Sequence, residues 1–208
     1  LDAAVISGVS AIHLALCEDP DHVRKVADRV SQLETERGIA LGAVRLIAML
    51  ESPAALLLAR EIATASPRMA GLTLGMEDYA TTMGTTPNAD LLRPACYQIT
   101  QAARAAGIAP LAVPASMANF RDVEEMESAA GWARRIGAVG GYAVHPVQVE
   151  ILNRVFAPSE EEIAWAHRVV EAAAKAKREG AGVFAVDGKM VDLPIITRAH
   201  DIIGRQDG

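Results

Sequence analysis

Two carboxylates are set apart by where they fall in the chain. Glu51 ends an apolar run, Ala43 to Leu50, and is followed at once by Ser52-Pro53, a helix start. Asp78, with Glu77 before it, closes a second apolar run, Met69 to Gly75. The two lie 78 − 51 = 27 residues apart, about one strand-plus-helix unit. That spacing predicts neighbouring strands and one shared rim. An acidic residue where a buried strand gives way to a helix adds little to packing. Two of them, with water and a substrate oxygen, make a hard-oxygen site suited to Mg²⁺. The alternative for each is a cap on the following helix, with Ser52 competing for that role beside Glu51. Glu77 reads as a solvated or supporting neighbour. His145, before Pro146 at the end of the last expected strand, is either a substrate contact or a hydrogen-bonded structural residue. His13 falls mid-strand and reads as a core histidine. Asp192, between Val191 and Leu193-Pro194, reads on position alone as a helix-start residue.

These side chains need a frame, and the apolar pattern supplies one. Strands are expected at Val9–Cys17, Ala43–Leu50, Met69–Gly75, Ala109–Pro114 and Gly141–Val144. Helices are expected at Asp19/Pro20 to Glu36, Pro53 to Ala65, Asp90 to Ala106, Phe120 to Ile136 and Val147 to Phe156. In the first of these, Val23, Val26, Val30 and Leu33 form one apolar stripe. Strand starts about 30 to 40 residues apart, each separated by a helix, are the signature of a parallel sheet covered by helices. The strands are near-continuously apolar, as burial on both faces requires. After Pro158 the rhythm changes. Ser159 to Glu162 reads as a capping box, followed by an Ala-rich helix over Ile163–Lys177. A hairpin turning at Asp187-Gly188 and a last helix follow. The expected organisation is residues 1–158 as a barrel domain and 159–208 as a helix-and-lid segment.

Composition narrows the chemistry further. The 208 residues are 51% hydrophobic and 22% charged, enough for a sizeable core. A net charge of −6 argues against a nucleic-acid partner held by phosphate neutralisation. No apolar run has the roughly 18 residues that span a bilayer, so no membrane partner is expected. The start, Leu1-Asp2-Ala3-Ala4, has no basic n-region, and Cys17 and Cys96 read as buried thiols in a reducing cytoplasm. Neither a G-x-G-x-x-G turn after the first strand, nor a phosphate-binding P-loop, nor a G-x-S-x-G elbow is present.

Five stretches, in order, carry a resemblance. They are Ala48-Met49-Leu50-Glu51-Ser52-Pro53-Ala54, Leu74-Gly75-Met76-Glu77-Asp78-Tyr79, Gly137-Ala138-Val139-Gly140 with Val144-His145-Pro146-Val147-Gln148, Asn153-Arg154-Val155-Phe156-Ala157-Pro158-Ser159-Glu160, and Asp187-Gly188-Lys189-Met190-Val191-Asp192-Leu193-Pro194. Together they resemble the citrate lyase β-subunit-like CoA-ester lyases, relatives of malyl-CoA lyase in the HpcH/HpaI aldolase superfamily. The resemblance implies an α/β fold, a (βα)₈ TIM barrel of the phosphoenolpyruvate/pyruvate-binding type. It implies a Mg²⁺-dependent (or Mn²⁺-dependent) carbon–carbon lyase or synthase, joining or parting an acyl-CoA and a keto acid through a malyl-, citramalyl- or citryl-CoA-like ester. Glu51 and Asp78 would be the metal ligands, and Asp192 the acid/base on a lid reaching over a neighbouring subunit. His145, Pro146 and Glu77 complete the site as candidate substrate contacts. A cytoplasmic homotrimer or hexamer is implied. The alternatives are an aldolase that does not use CoA and an inactive or regulatory paralogue.

The chain also departs from the family pattern. The usual first strand, the D-L-E-D strand end and the Arg-bearing third strand are not in this sequence. The expectation is therefore barrel strands four to eight, truncated at the amino end, with sheet edges exposed. Ala15-Leu16 replaces the family's Pro-Lys, and Gly141 stands where many members have Lys.

Overall fold

The computed structural model describes residues 1–180 and 183–205. By contacts the chain divides into two compact units, Leu1–Phe156 and Ala157–Gly208. The first unit is built on four parallel strands in sequence order: β1 (Ala11–Leu14), β2 (Arg45–Leu50), β3 (Met69–Leu74) and β4 (Ala109–Leu111). Helix α1 (Pro20–Glu36) follows β1, and α2 (Pro53–Leu57) and α3 (Ala59–Ala63) follow β2. The short α4 (Met76–Thr82) and the long α5 (Ala89–Ala105) follow β3, and α6 (Val123–Arg135) and α7 (Pro146–Phe156) come after β4.

Sequence chemistry explains these limits. Asp19 caps α1 by accepting from the His22 N–H at 2.8 Å, and Pro20 takes the first position, where its missing N–H is harmless. Val23, Val30 and Leu33 of the expected stripe are buried against the sheet, with Val26 half-buried at its margin. Along β2, Leu46, Ala48 and Leu50 are all fully buried, whereas Ile47 and Met49 on the opposite face are only partly covered. The covered face packs under the helices. The helix expected over Pro53–Ala65 is interrupted at Leu58, which caps α2 and starts α3.

The strand expected over Gly141–Val144 does not form. Pairing beyond β4 shrinks to one parallel bridge, Leu111 to Gly140. The amides of Val144 and His145 both donate to Oε1 of buried Gln148, at 2.8 and 3.2 Å, and so are spent on the start of α7. Gly141 approaches Val113 so closely that a Cβ there would lie 2.6 Å from its Cγ2 methyl. A lysine at 141 does not fit this packing.

At the amino ends of β2 and β3 lies a feature the apolar pattern does not announce. Glu34 is fully buried and pairs with Arg68, which is 6% exposed. Glu34 also accepts from the N–H groups of Gly42 (2.9 Å) and Val44 (2.8 Å). Arg68 donates in turn to Val44 O at 3.0 Å and Ser31 Oγ at 2.8 Å. Every charge is thus paired and hydrogen-bonded, the condition for burying it. The Arg68 guanidinium, aided by the two backbone donors, holds the Glu34 carboxyl down at about 2. A carboxylate whose folded pKa lies below its unfolded value adds stability above the unfolded value and loses it as pH falls toward the folded one. The chain is expected to lose about 3 kcal/mol from this group between about pH 5 and pH 2. Urea melts of wild type and Glu34→Gln across that window check it, the variant falling less steeply.

In the second unit, α8 (Glu160–Arg178) opens with the expected capping box: Ser159 Oγ accepts from Glu162 N, and the Glu162 carboxylate accepts from Ser159 N. Strands β5 (Phe184–Val186) and β6 (Lys189–Val191) form an antiparallel hairpin. Its turn residues, Asp187 and Gly188, both have positive φ, as a two-residue turn requires. Helix α9 (Leu193–Gly204) packs with α8 and the hairpin around Val169, Val186, Val191 and Ala199. Ala181 and Gly182, at the start of the expected hairpin, lie outside the described residues.

Candidate metal centre

Glu51 is the first residue after β2, and Ser52 rather than Glu51 caps the helix that follows. Ser52 Oγ accepts from Ala55 N at 3.1 Å and donates to Glu18 Oε2 at 2.6 Å. Glu51 is therefore released from capping. Its side chain is 6% exposed and leans across to the end of β3, over Gly75. A Cβ at Gly75 would lie 2.3 Å from Glu51 Cγ and 2.6 Å from Oε1, so only glycine leaves room for this carboxylate. Its other oxygen, Oε2, accepts a short hydrogen bond from the Leu16 N–H, at the carboxyl end of β1.

Asp78 is displaced from its expected place. The strand ends at Leu74, and Asp78 is the third residue of α4, exposed in its first turn. Gly75 starts this helix without a side-chain cap, and acidic residues in the first turn complement the helix dipole. Even so, Asp78 lies close enough for its charge to act on the Glu51 carboxyl. Burial pushes the Glu51 carboxyl above the usual range, the Leu16 N–H opposes this, and the charges of Asp78 and Glu18 raise it further. Among the described residues no lysine or arginine pairs with Glu51. The result is a buried carboxylate facing further negative charge at the rim of β1, β2 and β3, with oxygen donors only. That donor set fits a hard divalent cation completed by water and substrate oxygens. No group of three or more His, Cys, Asp or Glu side chains among the described residues makes a metal cage.

The other candidates are scattered. Glu77 turns to the next loop, where Ser116 Oγ donates to its Oε1. The exposed His145 stacks on Phe120 with ring centroids 4.6 Å apart, and its Nδ1 accepts from Val147 N at 3.3 Å. Pro146 is the exposed first residue of α7. His13 is not in the core. It lies exposed, on the same face as Ile47, and bonds the Tyr142 hydroxyl. Asp192 belongs to the second unit and begins α9, where its carbonyl accepts from Ile195 and Ile196 but its carboxylate makes no cap. Both cysteines are buried and free.

Comparison with known proteins decides the family. The profile of the HpcH/HpaI aldolase/citrate lyase family matches residues 1–146. The chain belongs to that family. Its similarity to the citrate lyase subunit beta of Haemophilus influenzae is 35% identity over 207 residues, covering 99% of this chain and 70% of that protein. The L-malyl-CoA/beta-methylmalyl-CoA lyase of Rhodobacter capsulatus is 34% identical over 179 residues, covering 77% of this chain and 56% of that one. Among solved structures, protein CitE of Mycobacterium tuberculosis, in complex with magnesium, acetoacetate and coenzyme A, superposes with a TM-score of 0.66 at 27% identity. That match covers 95% of this chain and 78% of that one. These relatives agree with the expected carbon–carbon lyase family and with a partial TIM-type barrel, of which four parallel strands are present. Among the described residues no helix is long and apolar enough to cross a membrane.

Proposed function

We propose that this member of the HpcH/HpaI aldolase/citrate lyase family uses Glu51 and Asp78 to hold Mg²⁺ and parts a 3-hydroxyacyl-CoA into an acyl-CoA and a keto acid. The observation that carries the reading is the pair itself: a buried carboxylate and its acidic neighbour share the carboxyl rim of β2 and β3, and among the described residues no cationic side chain pairs with them. The citrate lyase beta and malyl-CoA lyase relatives support that substrate class. When bound, the cation polarises the keto acid's carbonyl and offsets charge on the aldol oxygen. Mn²⁺ suits the same oxygen donors.

The chain's own residues do the rest. Glu51 is oriented by the Leu16 amide before any ligand arrives, so little ordering remains for binding. Asp192, on a lid that closes over the rim of a neighbouring copy in a trimer or hexamer, moves the proton. In the cleavage direction its carboxylate accepts the 3-hydroxyl proton as the bond between C2 and C3 breaks. The electron pair of that bond passes to the thioester enolate, which is then protonated at C2. His145, Pro146 and Glu77 are assigned to the substrate's surroundings. The buried free thiols support a reducing, cytoplasmic setting.

Asp192→Asn is expected to lower kcat by about 100-fold while leaving Mg²⁺ affinity unchanged, a split that calorimetry and a keto-acid assay read together. Substrate class is tested by incubating the chain and Mg²⁺ with malyl-, citramalyl- and citryl-CoA and with the corresponding free acids. Keto acid released from a CoA ester alone supports the reading. Release from the free acids alone makes it a CoA-independent aldolase. No release from either, with Mg²⁺ still bound, makes it a non-catalytic paralogue.

A further inference from the structure

Among the described residues two non-glycine residues have positive φ: Asp187 turns the β5–β6 hairpin, and Leu16, with φ 49, lies in the turn that follows β1. A left-handed leucine is strained by about 1 kcal/mol or more, because its Cβ crowds the following carbonyl. Leucine has no polar side chain to offset this locally, and here it is 60% exposed, so burial does not offset it either. The compensation must lie in what the backbone achieves. On either side the chain is orthodox: Leu14 pairs with Ala48, and the N–H of fully buried Cys17 bonds Met49 O at 3.2 Å. Between them, the left-handed residue swings one amide out of the ladder and points it at Oε2 of Glu51 on the neighbouring strand.

We infer that Leu16 is the positioning residue of the cation site: its left-handed backbone fixes Glu51 by one oxygen and leaves Oε1, which lies against Gly75, for the ligand. The inference rests on reading Glu51 as a metal ligand. Two contacts on opposite sides, the Leu16 amide and the bare Cα of Gly75, confine one carboxylate to one orientation. Leu16 contributes through conformation, so its side chain is replaceable by any residue content with positive φ.

That gives a test in which side-chain character and backbone preference point in opposite directions. Leu16→Gly and Leu16→Asn both accept the left-handed region, whereas Leu16→Val keeps the apolar character but is β-branched and resists it. The Mg²⁺ dissociation constant is measured by calorimetry on chains verified as folded by circular dichroism. Gly and Asn are expected within about twofold of wild type, and Val weaker by about tenfold. Replacing residue 16 by the α-hydroxy acid analogue of leucine removes the N–H alone and is expected to weaken binding by about tenfold or more. Should Val prove unfolded, this backbone variant carries the test. Equal affinity in every variant overturns the inference alone, as does retention in Val with loss in Gly and Asn. A wild-type chain with no Mg²⁺ affinity overturns the inference and the reading beneath it.

Discussion

Gly75→Ala is expected to remove Mg²⁺ binding and to lower turnover by about 10³-fold while the chain still folds. The backbone at Gly75 has φ −85 and ψ 94, which alanine adopts without strain. What alanine cannot do is share space with Glu51, whose Cγ, Oε1 and Cδ would lie 2.3, 2.6 and 2.8 Å from the new Cβ. None of these can yield cheaply. The carboxylate is buried, tied to the Leu16 amide and backed by β2, so one methyl group turns it away from Asp78. Calorimetry, turnover and a thermal melt separate this from general unfolding. A Gly75→Ala chain that binds Mg²⁺ like wild type would show that the carboxylate need not occupy this pose.

Arg68→Ala is expected to cost about 3–5 kcal/mol of stability, the usual penalty for leaving one partner of a buried ion pair alone. Glu34, fully buried in the intact chain, would keep the Gly42 and Val44 amides but lose both guanidinium contacts. The Ser31 hydroxyl and the Val44 carbonyl would lose a donor as well. Denaturant melts measure it, and a loss below about 1 kcal/mol would mean that the pair contributes little beyond its packing. Activity per folded molecule is expected to persist, since this cluster lies at the amino ends of β2 and β3, opposite the rim that carries Glu51. The two ends of these strands thus face two buried glutamates in contrasting states, Glu34 from α1 and Glu51 from the end of β2. Glu34 is pulled down to about 2 by a paired arginine, and Glu51 is pushed up by burial and by further negative charge.

The alternation of strand and helix was legible because apolar runs and helix starts coincide at Asp19-Pro20 and Ser52-Pro53, where local chemistry and packing agree. The convergence of Glu51 and Asp78 was legible from one number, their spacing. Asp78 itself was misplaced by a few residues, because Gly75 and Met76 start a short helix that the apolar run conceals. The fifth strand was overestimated because Ala143 and Val144 look like strand residues. What decides their fate is non-local: Gln148 captures the amides of Val144 and His145. Glu34 and Arg68 escaped notice for the same reason, being 34 residues apart and lying among residues that read as surface. The roles of Leu16 and Gly75 are likewise invisible in sequence, since each depends on a neighbour from another strand. The first three strand-ends of the site were thus readable as elements, and the contacts that aim Glu51 were not.

The most direct measurement is a calorimetric Mg²⁺ titration of the wild-type chain beside Glu51→Gln and Asp78→Asn. Both substitutions keep side-chain size and remove one negative charge. Saturable one-site binding is expected in wild type and its loss in each variant, with melting temperatures maintained. Unchanged Mg²⁺ affinity in the two variants, or no affinity in wild type, would contradict the assignment of the two carboxylates to Mg²⁺.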